Sequence, residues 1–555
     1  MPTLTWLRRT RIALTACLGL VACGGAPAPA ASTIAPATPA PTPAPGAVAA
    51  PPLVVLIVID QLPAWAFAAK RPALTGGFAR LLREGTWVTG HVPSAAAITG
   101  PGHALLGTGA SPAVSGIIAN EWWDRALERV IKATDGEPGP GKDAHRLRVP
   151  GLGDSIAAAN LATHGSAKAV AVALKDRAAL LPLGHAGLAV WYEPKHTAWA
   201  SSAPRAWLDA LATANPIAAH LHDVWAPLDP ARLAALSGTI DAQPGEVGEK
   251  GFGPTFPHAL AATPSPAEAV FAAPVGNQIV LEAALAAIDG EQLGADATPD
   301  LLVIGLSAHD YVGHGWGHES WEAWDMTLRL DADLARFLAQ LDARAPGWAM
   351  IVTSDHGASP LPERLHGGRT SYEALAAVAN QAARGVLGAG TWFAGSKSPY
   401  LYLTAAARAL PAATRARALD AAVTALRAQP ALGRVEPTAP LIGACETRHG
   451  DDRAICLMLD AERSGEIVVL PREGWILQEQ DEPVATAHGS LSAADRDVPV
   501  LLLPPGRVPH APATAPTGEL GLEHIAGTLA GTPSSKKANA PTECNAPATR
   551  ADTTG

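Results

Sequence analysis

The sequence predicts an α/β fold, a doubly wound and mostly parallel sheet flanked by helices with inserted cap regions, and three observations support it. Four short apolar runs end abruptly in polar residues, helical periodicity falls between them, and three of the runs stop near an aspartate or a histidine. The first run is Leu53-Val54-Val55-Leu56-Ile57-Val58-Ile59 before Asp60, and the second, residues 301–306, stops at Ser307. The third, Ala349-Met350-Ile351-Val352, leads into Thr353-Ser354-Asp355, and the fourth covers residues 498–503. Runs this continuous in β-branched residues and leucine suit strands covered on both faces, as in a parallel sheet. Residues 322–341 instead place Leu328, Leu330, Leu334, Phe337, Leu338 and Leu341 on one helical face. Alternation of this kind is the pattern of a doubly wound sheet. Ligands of such sheets gather at the carboxyl ends of the strands, so the polar residues there are the first site candidates.

At 555 residues the chain has room for one large catalytic body, read here as residues 52–532. The stretches from about 120 to 295 and about 365 to 480 are less regular and read as caps inserted into it. A net charge of −10 without any basic run argues against nucleic acid as a partner. Residues 1–22 have the order of an export signal: Arg8, Arg9 and Arg11, then an apolar stretch too short to span a bilayer. Leu20-Val21-Ala22-Cys23 resembles the bacterial lipobox, in which the cysteine is lipidated; Gly24 behind it points to an outer-membrane anchor. Ordinary signal cleavage near Ala30 or Ala31 is the alternative. Residues 23–51, nearly all Ala, Pro, Thr and Gly, form the expected extended tether, and residues 533–555 a disordered tail. In an exported chain, Cys445 and Cys456 around the turn-like His449-Gly450-Asp451-Asp452 are expected to pair, two buried thiols being the alternative.

The chemistry-bearing residues cluster at the predicted strand ends. Asp60 closes the first run, Asp310 and His314 follow the second, Asp355 and His356 close the third, and His488 precedes the fourth. A set that mixes carboxylate oxygens with imidazoles suits zinc or a similar divalent ion. Thr99 opens Thr99-Gly100-Pro101-Gly102-His103, where proline fits the first turn of a helix and glycines allow close approach of a ligand to backbone N–H groups. A threonine there is ordinarily a helix cap, yet it would also hold a phosphate against the positive helix end. His103 reads as a buried structural residue.

These pieces together resemble the alkaline phosphatase superfamily, specifically bacterial threonine-nucleophile alkaline phosphatases close to the nucleotide pyrophosphatase/phosphodiesterases. The matching segments are Val58-Ile59-Asp60-Gln61, Thr99-Gly100-Pro101-Gly102-His103, Gly116 to Trp122, Leu174-Lys175-Asp176-Arg177, Asp310-Tyr311-Val312-Gly313-His314, Ser354-Asp355-His356-Gly357 and His488-Gly489-Ser490. The resemblance implies Thr99 as nucleophile and two divalent ions, zinc by expectation. Asp60, Thr99, Asp355 and His356 would hold one ion, and Asp310, His314 and His488 the other. It further implies that Asn120, Lys175 and Arg177 contact the phosphoryl oxygens of a small phosphate ester. His309, where a small hydroxyl residue is usual, and His318, where proline is common, depart from the pattern. Hydrolysis of monoesters is the expected activity, with a phosphodiesterase or nucleotide pyrophosphatase as the alternative. Sulfatase chemistry lacks its modified cysteine or serine motif, and a non-catalytic binding module would not need every ligand position filled.

Overall fold

The computed structural model describes residues 50–136, 141–394, 399–503 and 519–529. The expected signal, the Cys23 lipidation site, nearly all of the tether, and the tail lie outside them.

Nine strands of the described residues form the central sheet: β1 (Leu53–Ile59), β2 (Thr86–His91), β3 (Ala169–Ala173), β4 (Leu188–Glu193), β5 (Ala198–Ser201), β6 (Asp300–Leu306), β7 (Ala349–Thr353), β8 (Asp497–Leu503) and β9 (Glu519–Gly521). Their spatial order is β9-β2-β8-β7-β1-β6-β3-β4-β5. From β7 to β4 every neighbouring pair is parallel, so all four strands beside or between these pairs end on one edge with β1. Alternate β1 residues face opposite layers: Leu53, Val55, Ile57 and Ile59 pack in one core cluster, Leu56 and Val58 in another. The first core layer includes helices α3 (Pro274–Glu291) and α5 (Trp321–Arg344), the second α1 (Thr99–Thr108) and α2 (Asp176–Leu183). Helix α4 (Ala308–Trp316) follows β6 directly. The period-3.6 leucine pattern thus produced α5, and continuous apolar runs produced strands covered on both sides.

Two expectations are corrected. The fourth apolar run, β8, lies antiparallel to both β7 and β2. Its amino end therefore reaches the edge where its parallel neighbours end, which explains why His488 precedes it. The stretch from 120 to 295 is not cap throughout, because β3, β4 and β5 extend the central sheet, and α2 and α3 cover its faces. The alanines of β3 hid it: Ala169-Val170-Ala171-Val172-Ala173 is wholly buried but only weakly apolar in sequence.

The stretch from 365 to 480 carries a second, smaller sheet, whose Tyr400, Tyr402, Val468 and Leu470 share a core cluster with Ala95, Ala104 and Ile117 of the central body. Strands Phe393–Ala394, Tyr400–Leu403, Ile467–Pro471 and Leu432–Pro437 make a small sheet of their own, packed on helices Tyr372–Leu387 and Ala412–Arg427. Cys445 and Cys456 are bridged with Cα atoms 5.5 Å apart, and the helix Gly450–Met458 that carries Cys456 packs against Ala95, Ala96 and Ala104 of the central body. Among the described residues no single helix is long and apolar enough to cross a membrane.

Candidate active site

The register of the central strands brings the predicted ligands together. Ile59 is level with Leu306, and Val58 with Thr353, so Asp60, the β6–α4 connection and Ser354-Asp355-His356 emerge side by side. Asp60, Asp355 and His356 are fully buried, and Asp310 is 4% exposed. One group of atoms close enough to share an ion comes from Asp60, Asp355 and His356, and a second from Asp310, His356 and His488. His356 therefore stands between the two sets, its ring stacked on His488 at 3.7 Å. His314 joins through Asp310, Nε2 to Oδ1 at 3.4 Å.

The donors fit divalent ions on two counts. His314, His356 and His488 each donate Nδ1–H to a backbone carbonyl, of Thr486 (2.8 Å), Gly357 (3.0 Å) and Ala97 (2.7 Å). That fixes each ring and leaves the Nε2 lone pairs for the carboxylate cluster, as imidazole ligands require. Asp60 Oδ1 is moreover buried without a hydrogen-bond partner, a costly position for a carboxylate oxygen unless a cation serves it. Burial and the Asp355 charge push Asp60 up to about 6.

Thr99 is in the first turn of α1, and its side chain makes no capping bond. The cap role open to it in sequence is not used; Oγ1 instead lies 3.3 Å from His356 Nε2. A Cβ on Gly102 would come within 2.5 Å of the Asp355 carbonyl oxygen, so only glycine lets α1 approach the ligand segment this closely. His103 is buried as expected, with Nδ1 3.1 Å from both the Thr99 carbonyl oxygen and Asp355 Oδ2, tying helix to ligand.

Above Thr99 opens a cavity of about 600 Å³, with Asn120, Arg177, Tyr311, His314 and His488 among its walls. Asn120 Oδ1 accepts the Gly100 N–H at 2.7 Å, which turns its amide donors toward the open side. The Nε of Arg177 is buried without a partner. Lys175 is placed differently: its ammonium is shared by Asp60 Oδ2 (2.7 Å) and Asp310 Oδ2 (2.6 Å) and is not on the cavity wall. Burial works against that charge, but Asp310 and Asp60 outweigh it and raise the Lys175 pKa above its ordinary value.

Residues 54–491 match the family described as type I phosphodiesterase / nucleotide pyrophosphatase. The chain belongs to this family. It is 31% identical over 494 residues to the alkaline phosphatase PhoK of a Sphingomonas species, covering 81% of this chain and 83% of that one. To the alkaline phosphatase PafA of Elizabethkingia meningoseptica it is 32% identical over 338 residues, 56% of this chain and 61% of that relative. The crystal structure of wild-type PafA superimposes with a TM-score of 0.76 at 25% identity, over 87% of this chain and 96% of that one. Like other members of the family, the protein is a hydrolase of phosphoric esters with a mixed α/β fold.

Three residues of the site had no assigned role from sequence. Gln61 is fully buried in a left-handed conformation (φ 57°), which for a non-glycine residue marks a constrained position. Tyr311 has the ammonium groups of Lys175 and Lys250 4.8 and 4.9 Å from its ring. Lys250, also left-handed (φ 51°), lines the cavity from a loop with no motif to flag it. Gln61 and Tyr311, each inside a matched motif, left a trace in the sequence; Lys250 left none.

Proposed function

We propose that the protein hydrolyses phosphate monoesters through a phosphothreonine intermediate on Thr99. The observation that carries this reading is that Thr99, Arg177 and Asn120 line one cavity at the amino end of α1, with Thr99 Oγ1 3.3 Å from His356 of the carboxylate and imidazole groups. Asp60, Thr99, Asp355 and His356 would hold one divalent ion and Asp310, His314 and His488 another, zinc by their donor chemistry. When bound, the ions supply a lowered hydroxyl pKa at Thr99 and neutralise charge on the leaving oxygen.

The chain's own groups account for the remaining steps. The N-terminus of α1 favours an anion through its dipole, the Gly100 N–H being taken by Asn120 and the Gly102 N–H by the Ile98 carbonyl. Arg177 and the Asn120 amide hold non-bridging oxygens and so orient phosphorus toward Thr99. Thr99 Oγ1 forms the bond to phosphorus as the ester P–O bond breaks, and water then hydrolyses the phosphothreonine, releasing inorganic phosphate and restoring the hydroxyl. Thr99→Ala tests the reading. Labelled phosphoenzyme should disappear while metal content stays near wild type, and Thr99→Ser should retain part of the activity. Near wild-type turnover by the alanine variant would defeat it.

A phosphodiesterase reading draws on the matched family and on the engagement of Lys175 with Asp60 and Asp310 instead of the cavity. It predicts higher kcat/KM for an aryl diester than for the matched monoester, the reverse of the proposal. We also propose export with lipidation at Cys23 and an outer-membrane location, supported by the order of residues 1–24.

A further inference from the structure

Gln61 is linked to both carboxylate groups. Its backbone N–H donates to Asp355 Oδ1 at 3.3 Å, and its side-chain Nε2 donates to Asp310 Oδ1 at 2.7 Å. An ionised carboxylate only accepts, so the amide nitrogen must face Asp310 and Oε1 must face the other way. There it meets His318 Nε2 at 2.9 Å, and that ring nitrogen must carry the proton. His309 holds the same residue from its backbone side, donating Nδ1–H to the Gln61 carbonyl oxygen at 3.2 Å. The two imidazoles stack on each other, centroids 5.3 Å and planes 24° apart, and both side chains are buried. The amide lies in a space kept by Gly313: a Cβ there would be 1.9 Å from Gln61 Oε1 and 2.8 Å from His318 Nε2. His309 and His318 are thus brought together around one glutamine.

We propose that His318 and His309 act as positioning residues, locking Gln61 so that its amide sets the rotation of the Asp310 carboxylate for divalent metal binding. Asp310 Oδ1 is the oxygen that faces His314 Nε2 (3.4 Å) and His488 Nε2 (3.8 Å); with Lys175 holding Oδ2 at 2.6 Å, the Gln61 bond fixes which Oδ1 lone pair is left for a shared ion. Without the His318 donor, Gln61 Oε1 is left buried and unpaired, and only the bond to Asp310 still holds the amide in this position. Outer partners of this kind typically change metal affinity about 10–100-fold when removed. The inference rests on the two-ion reading above.

The test is zinc binding to the metal-stripped full chain, by competition with a chromogenic chelator, in wild type, Gln61→Asn, His318→Ala and His318→Gln. Asparagine tolerates the left-handed backbone and keeps the N–H to Asp355, but its shorter side chain withdraws the amide from Asp310. Gln61→Asn and His318→Ala should bind one zinc ion about 10–100-fold more weakly than wild type, with His318→Gln, which retains a donor, recovering most of the loss. The melting temperature of each metal-free variant is the control. A merely structural role would lower it and leave zinc affinity unchanged, and that result would overturn the proposal. Should His318→Ala not fold, Gln61→Asn and His318→Gln decide: a Gln61→Asn affinity within twofold of wild type, or a His318→Gln loss as large as that of Gln61→Asn, also overturns it. Wild-type protein that takes up no divalent ion would remove the two-ion reading and this inference together. Two tightly bound ions in wild type and Gln61→Asn alike would remove this inference alone.

Discussion

Replacing Arg177 with alanine removes a cation that serves little in the protein itself. Its Nε is buried without a partner, it forms no ion pair among the described residues, and it lines the cavity beside Thr99. The guanidinium fork is therefore available to an anion, with two parallel N–H donors for a phosphoryl group. Each hydrogen bond to a charged group is worth about 1.5–3 kcal/mol, so two bonds made in the transition state imply a fall in monoester kcat/KM on the order of 10²–10⁴. A diester presents one non-bridging oxygen and about one negative charge fewer, and one such bond corresponds to a loss of roughly 10–10². The assay is kcat/KM for an aryl phosphate and its methyl aryl diester, which share a leaving group. Arg177→Lys should fall between wild type and alanine, because it keeps the charge but not the fork. The melting temperature should barely move, since no protein partner is stranded. Equal losses on the two substrates, or a monoester loss below about threefold, would refute the reasoning.

Chelation should abolish activity and lower the melting temperature, and zinc should restore both; full activity after exhaustive dialysis against a chelator would contradict the metal reading. Serine at both Cys445 and Cys456 should cost about 3 kcal/mol by loop entropy for the 11-residue separation, read by urea denaturation, while kcat per folded molecule holds because neither cysteine lines the cavity. Glu322, buried against His258 at 3.0 Å, is raised by burial to about 9 from 4.5, so its contribution to stability is full below pH 4.5 and is lost as pH rises toward 9. Glu322→Gln should therefore be more stable than wild type at pH 8, by an amount on the order of 3 kcal/mol, and the difference should shrink toward pH 5; a pH-independent difference in urea midpoints would count against it. Cys23→Ser should block lipidation and release the protein from membranes, and wild-type protein found free in the periplasm would exclude the lipid anchor.

Legibility in the sequence followed the strength of the apolar signal. β1, β6 and β8 are rich in leucine, isoleucine and valine, β7 centres on Met350-Ile351-Val352, and each became a buried strand. β3 is equally buried, but three of its five residues are alanine, and alanine favours helix in isolation. Burial between α2 and α3 supplies what its own side chains lack, so it reads as a strand only once its neighbours are in place. Strand direction was hidden for a related reason. An apolar run buried on both faces has the same pattern whether its neighbours run with it or against it, and only the position of His488 ahead of β8 carried that information.

The site was legible where chemistry restricts residue type and obscure where geometry alone assigns a role. Carboxylates and imidazoles at strand ends are conspicuous, and the fold brings every one of them together, with Asp60, Asp355 and His356 buried and His314 and His488 on the cavity wall. Lys175 shows the limit of that reasoning. Its motif position paired it with Arg177, yet neighbours in sequence at the start of a helix can point in different directions: Lys175 precedes α2 and turns inward to Asp60 and Asp310, while Arg177, in the first turn, faces the cavity. The two cations then do different work. Arg177 can respond to the charge of the substrate, whereas Lys175 balances carboxylates that are present whatever substrate is bound. Removing Lys175 should consequently depress monoester and diester hydrolysis alike, and only Arg177 should discriminate between them. A Lys175→Ala variant that lost monoester activity selectively would place its ammonium on the phosphoryl group during turnover and restore the pairing that the sequence suggested.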